Sequence, residues 1–237
     1  MRKVAILIDG GYFLKRLPSV RDDIDHQNVA DVEKAIAQLV TGHLRQVNEV
    51  VRLPNHYGLL YRCFYYDASP YLNRGHKPVS KQVIDYARTP EAAFRLGLFK
   101  ALRRRSHFAV RLGEVRQERA WVLREAAQKA LLARARTVDD LTDDDFAPGL
   151  RQKAVDMRIG LDIASIVLKR QADTIVLVAG DSDFVPAAKL ARREGAHFIL
   201  DPLWRDVSSD LFEHIDAVRS GFFRPAASDV SQSDPVP

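Results

Sequence analysis

Two short runs of uninterrupted apolar residues, each ending on aspartate, constrain the fold more than any other feature of the chain. Val4-Ala5-Ile6-Leu7-Ile8 runs into Asp9-Gly10-Gly11, and Ile175-Val176-Leu177-Val178-Ala179 runs into Gly180-Asp181-Ser182-Asp183. Runs this short, with no polar alternation, predict strands buried on both faces, as in a parallel sheet covered by helices. Further strands are expected at residues 59–66, ending at Asp67, at 107–112 before Gly113, and at 197–200. Between them lie helical patterns. Val29, Val32, Ile36, Leu39, Val40, Leu44 and Val47 recur at three- and four-residue steps, and residues 94–102, 155–168 and 184–194 also read as helices. Pro186 suits the first turn of the last of these, and Gly195 its end. Gly10-Gly11 reads as a tight turn, residues 119–136 as a strong helix and residues 137–149 as an acidic, turn-like stretch. Strands alternating with helices imply a parallel sheet with helices on both faces, whose site lies at the carboxyl ends of the strands. Asp9, Asp67 and Asp181 are expected to converge there.

Several function classes are excluded early. No apolar stretch of about 18 residues exists to span a membrane, and the first apolar run is too short for a signal-peptide core. Cys63 is the single cysteine, so neither an intramolecular disulfide nor a cysteine-cluster zinc site can form. The seven histidines show no tight metal spacing. A soluble cytoplasmic protein is expected, and a homo-oligomer is compatible with the sequence. With 237 residues and 46% hydrophobic content, the chain can hold one sizeable core. It is read as one domain over residues 1–222 with a basic helical elaboration at about 100–150. The tail 223–237, rich in Ser, Pro and Asp from Pro225 on, is expected to be disordered.

The formal charge of +5 is a mild pointer to a polyanionic partner. Its distribution is more informative: residues 100–136 hold eleven Lys/Arg against Glu114, Glu118 and Glu125, and five aspartates follow at 139, 140, 143, 144 and 145. Arg103, Arg104, Arg105, Arg111 and Arg116 are the residues expected to track a phosphate backbone, because a guanidinium holds phosphate oxygens in two bonds and keeps its charge.

The acids carry the chemistry. Adjacent parallel strands lie about 5 Å apart, so carboxylates ending two of them can share a cation. Asp183 stands at the entry of the next helix, as an N-cap, a ligand or both. Asp156 and Asp162 lie on the helix before the Asp181 strand, about 120° apart around it and about 9 Å along it, so both can hardly contact one ion. Asp156 is favoured as the ligand, with Asp162 as the alternative or a supporting residue. An all-carboxylate, water-rich set suits Mg²⁺ or Mn²⁺ rather than zinc.

At Ile8-Asp9-Gly10-Gly11-Tyr12-Phe13, at Lys153-Ala154-Val155-Asp156 with Leu161-Asp162, and at Val178-Ala179-Gly180-Asp181-Ser182-Asp183-Phe184-Val185-Pro186, the chain resembles NYN-domain proteins. These are a PIN-like family that includes bacterial LabA-like members. The resemblance spans roughly residues 3–220. It implies a Rossmann-like three-layer α/β fold with a mainly parallel central sheet, and metal-dependent ribonuclease activity. It also implies RNA as the favoured nucleic acid, and metal-site carboxylates at Asp9, Asp156, Asp181 and Asp183. Many relatives carry asparagine shortly after the first aspartate; this chain has Gly11-Tyr12. Asp181-Ser182-Asp183-Phe184-Val185 also fits a haloacid-dehalogenase nucleophile motif, but only about fifty residues follow it, too few for that fold. The alternative function is a non-catalytic RNA-binding or scaffold protein that keeps the same fold.

Overall fold

The computed structural model describes residues 2 to 224, and the expected disordered stretch from Pro225 on lies outside them. Strand β1 (Val4–Asp9) lies at the centre of the main sheet, parallel to β2 (Leu60–Ala68) on one side and to β7 (Thr174–Val178) on the other. Outward from β2 lie β5 (Phe108–Leu123), parallel to it, and β6 (Phe146–Lys153), antiparallel to β5. Outward from β7 lie β8 (His197–Asp201) and β9 (Ala217–Val218), both parallel. The sheet order is therefore β6-β5-β2-β1-β7-β8-β9, and β3 (Arg74–His76) pairs with β4 (Val83–Asp85) in a separate hairpin.

Alternation across the pleat builds a core on each face. Val4, Ile6 and Ile8 face α1 (Gly10–Val20), α2 (Val29–Val51) and α3 (Pro90–Arg103), whereas Ala5 and Leu7 face α5 (Val155–Leu168) and α6 (Val185–Arg193). The short α7 (Ser209–Phe212) adds Leu211 to the second core. All five apolar β1 side chains are fully buried, and each larger one contributes about 1.5–3 kcal/mol of transfer free energy. The fold is the three-layer α/β arrangement with a mostly parallel sheet.

Two local expectations fail for physical reasons. Gly10-Gly11 is the first turn of α1 rather than a tight turn, because the Asp9 side chain caps the helix directly after the strand. Residues 119–136 are not one helix, and the basic segment is not mainly helical. β5 runs on to Leu123, with Trp121, Val122 and Leu123 paired to Pro148, Ala147 and Phe146, and only α4 (Glu125–Leu132) is α-helical. Strand pairing and aromatic and β-branched side chains override the helix propensity of the flanking Ala, Arg and Glu. β5 pairs with β2 only as far as Gly113, so the remainder of β5 and most of β6 form an arm standing beyond the carboxyl edge of the sheet.

Gly10 is a tight point beneath the site. A Cβ there would lie 2.5 Å from the Tyr65 ring and 2.6 Å from the Tyr66 carbonyl oxygen, whereas one at Gly11 would meet nothing nearer than 3.5 Å. Gly10→Ala is therefore expected to lower unfolding free energy by about 1–3 kcal/mol through overpacking. Gly11→Ala should be neutral or slightly stabilising inside the helix. Urea midpoints of the two variants check this, and equal midpoints would refute it.

Candidate active site

The chain leaves β1 toward β2, then returns through α5 to β7 on the other side of β1, so the strand order reverses between β1 and β7. In open α/β sheets ligands bind at such a reversal, beyond the carboxyl ends of the strands. Ile8 pairs with Val178, which sets Asp9 level with Ala179 and the Gly180-Asp181 turn just past it. Asp156 enters from a third direction, in the first turn of α5, which the arm delivers to this edge.

Local hydrogen bonds fix two of these acids. Asp9 Oδ1 accepts from the Tyr12 amide at 3.1 Å, and Asp181 Oδ1 accepts from the Asp183 amide at 3.0 Å. The capping role foreseen for Asp183 thus belongs to Asp181, which caps the 3₁₀ turn Ser182–Phe184 ahead of α6. Asp156, Asp181 and Asp183 are exposed, and Asp9 is half-buried.

Asp9 and Asp156 both feel neighbouring acids. Burial pushes the Asp9 carboxyl up to about 6, partly countered by the Tyr12 hydrogen bond and reinforced by the charges of Asp156 and Asp67. Asp156 is raised by burial, then by the charges of Asp181 and Asp183. Among the described residues none of Asp9, Asp156, Asp181 and Asp183 forms an ion pair with Lys, Arg or His.

Two other acids at this edge are compensated. Asp67 is fully buried, accepts from the Ala68 amide at 2.7 Å and is paired with Arg95 of α3. Asp162 accepts from the Tyr66 hydroxyl at 2.9 Å and lies 3.3 Å from Arg111 Nε. Tyr65 and Tyr66 point to opposite faces of β2, which is why Tyr66 reaches α5 while Tyr65 packs on Phe99 of α3. Asp67-Arg95 and Asp162-Arg111 partition the acids, and a sequence pattern carries no sign of either partner.

The arginines foreseen as a phosphate track do not share one surface. Arg103 ends α3, and Arg104 and Arg105 follow it before the amino-terminal edge of β5, opposite the edge that carries Asp9. Arg105 also binds Glu33 at 2.6 Å. Arg111, level with Tyr66, is the one brought to the acids, and Arg116 lies on the arm, 2.9 Å from Glu114.

Tyr12 follows Gly10-Gly11 in the first turn of α1. Its hydroxyl donates to the Pro202 carbonyl at 2.6 Å, and its ring lies so close over Gly180 that a Cβ there would be 2.5 Å from it. The side chain ties the start of α1 to the ends of β7 and β8, and burial pushes its hydroxyl up to about 12, so it stays a donor.

As the side chains stand, no three His, Cys, Asp or Glu among the described residues are close enough to hold a metal ion. The donor set nonetheless fits a hard cation in kind: four carboxylates, two of them raised by burial and then by neighbouring acids, and none with a basic counter-charge.

The NYN domain family model matches residues 3–214. The chain belongs to the NYN domain family. No curated protein matches it. It is similar to a protein of unknown function from Vibrio parahaemolyticus, whose crystal structure matches at 15% identity over 93% of this chain and 95% of that one. The TM-score of 0.42 is too low to bear on fold or function. Within the NYN chain, no described helix is long and apolar enough to cross a membrane.

The uncompensated acids of this NYN domain should be measurable as lost stability. The Asp9 carboxyl rises from 3.8 to about 6 on folding. Below about 4 it is protonated in both states and costs nothing. Between about 4 and 6 the folded chain keeps a proton that the unfolded chain has lost. Above about 6 the native state carries an unfavourable charge, so this stability is lost as pH rises through about 6. Asp9→Asn keeps a capping oxygen and removes the charge. Without divalent metal it is expected to gain about 1–2 kcal/mol at pH 8, allowing for screening at a half-buried position, and to gain nothing near pH 4. Denaturant unfolding at both pH values tests this, and a variant no more stable than wild type at pH 8 would refute it.

Proposed function

We propose that the protein is a metal-dependent nuclease that hydrolyses phosphodiester bonds, with RNA as the favoured substrate, at Asp9, Asp156, Asp181 and Asp183. One observation carries the reading: at the sheet's reversal point four acids stand without basic partners, although the two flanking acids at the same edge have them. Membership of a generally nuclease-like family supports the reaction class.

Asp9, Asp156, Asp181 and Asp183 would hold Mg²⁺ or Mn²⁺. When bound, such an ion supplies Lewis-acid polarisation of the phosphate and a more acidic water. The chain's own residues do the remainder. The Tyr12 and Asp183 amides hold the Asp9 and Asp181 carboxylates in fixed orientations. Tyr66 and Arg111 engage Asp162, keeping it as a supporting residue for α5 rather than a member of the unpaired set. Arg111, nearly half-exposed at 48%, can still offer guanidinium N–H groups to a phosphate at the rim. The amino-terminal ends of α1 and α5 both open at this edge, and their partial positive charge favours an anion there.

Wild-type protein is expected to cleave single-stranded RNA with Mg²⁺ or Mn²⁺ and to lose cleavage in EDTA. Asp9→Asn and Asp181→Asn should each lower the rate by about 100-fold or more, since the site is asked for several kcal/mol. Labelled single- and double-stranded RNA and DNA, assayed with each variant, provide the measurement. Full cleavage by both variants, or by metal-stripped wild type, would sink the reading. RNA binding with no cleavage in any metal would return the protein to the non-catalytic alternative.

A further inference from the structure

Two small, half-open cavities lie along the arm, one against α3 near the acids and the other against the β3–β4 hairpin. The nearer one, 180 Å³, is lined by Tyr71, Tyr86, Glu91 and Arg95 and by Val115, Leu150 and Gln152 of the arm. The other, 290 Å³, lies across the same tyrosines against Gln117, Trp121, Lys77 and Lys81. Strand alternation makes this surface, since Val115 pairs with Gln152 and Gln117 with Leu150, all on the inner face.

Three features point to a ligand class. The Tyr71 and Tyr86 rings meet edge to face at 5.3 Å and 76°, so the pair offers both ring faces and ring edges to its surroundings. Gln152 is exposed, whereas its arm neighbour Gln117 accepts from the Tyr71 hydroxyl at 2.9 Å. Gln152 Oε1 and Asp9 Oδ1 both lie beside Gly11, at 3.8 and 3.5 Å from where its Cβ would be, so the cavity opens next to the acids. Its volume is below the roughly 300 Å³ at which sites for whole drug-sized ligands begin. That suits one planar base with its sugar and phosphate outside.

We propose that the cavity takes one unpaired base of a single-stranded polynucleotide, held against Tyr86 with its edge at the Gln152 amide. The next nucleotide lies across the tyrosines, near Trp121 and the Lys77 and Lys81 ammonium groups. This deepens the nuclease reading and rests on it for the role of the neighbouring acids: with the base in place, its phosphate faces the Asp9 edge. A base can enter only when unpaired and unstacked from its strand, so the site selects single strands over duplex. Stacking tolerates any base, and the Gln152 amide adds a preference among base edges.

The test is fluorescence anisotropy with a short fluorescein-labelled single-stranded RNA, its duplex and the matching single-stranded DNA, all in the Asp9→Asn background to prevent cleavage. Tyr86→Leu keeps the apolar fill and removes the aromatic face. It is expected to weaken single-strand binding about 10-fold or more and to leave duplex binding unchanged. Moving an abasic nucleotide along the strand should reveal one position where Asp9→Asn loses affinity and the Tyr86→Leu double variant does not. Gln152→Ala should change the base preference at that position. Unchanged single-strand affinity in a Tyr86→Leu variant with a native melting temperature, or equal binding of duplex and single strand by the parent, overturns the proposal. The two readings fail separately. If no metal supports cleavage but the Tyr86 effects appear, the base site stands and catalysis falls; if cleavage occurs and binding ignores Tyr86, the reverse holds.

Discussion

The pairing of β1 between β2 and β7 is the constraint on which the other features depend. All five of its apolar side chains are fully buried, alternately in the two cores, so its register with both neighbours is fixed: a one-residue slip would exchange the cores. That register sets Asp9 beside the end of β7. Because the chain leaves β1 on one side and returns on the other, no crossover connection covers the gap between these two strand ends. The opening is therefore a property of the winding rather than of any loop.

Electrostatics then divides the acids that reach the opening. Asp67 and Asp162 each meet an arginine and a further hydrogen-bond donor, which tie them to α3 and to β2 and β5 at the sheet edge, although burial still raises the Asp67 carboxyl. Asp9 and Asp156 meet other acids instead, and burial raises both, reinforced by those charges. An arrangement that opposes its own ionisation is poor as a stabilising device and suited to a site that receives cationic charge. The His43–Asp201 pair at the end of β8 shows the contrast within the same chain. It is fully buried at 2.8 Å, and Asp201 also accepts from the Leu203 and Gly221 amides. That carboxylate anchors the C-terminal segment.

The arm gives the domain its own character. By continuing past Gly113, β5 carries Val115, Gln117 and Trp121 beyond the sheet, and β6 brings Leu150 and Gln152 back beside them before α5 starts. One strand pair thus lines the cavity and also sets Asp156 at the helix start, so the cavity and the acid cluster are mechanically linked. The basic residues sort by position along this path: Arg103, Arg104 and Arg105 stay at the far edge, whereas Arg111 reaches the acids.

The sequence by itself determined whatever short-range pattern can encode. The apolar runs at residues 4–8 and 175–179 specify buried parallel strands, because no other element tolerates so few polar residues over so short a length. The spacing over α2 and α5 specified those helices, and the aspartates at or just past the ends of two adjacent strands pointed to the candidate site. Local signals also misled where long-range pairing outweighed propensity, as in residues 119–123, which are helix-like in composition yet held as a strand by Phe146, Ala147 and Pro148. Tertiary structure alone decided which acids remain unpaired. The sequence favours Asp156 over Asp162 as a ligand, but only the folded chain brings Tyr66 and Arg111 to Asp162 and other carboxylates to Asp156. A carboxylate's partners come from distant strands, and a field that adds over several ångströms in space has no counterpart in the order of residues along the chain.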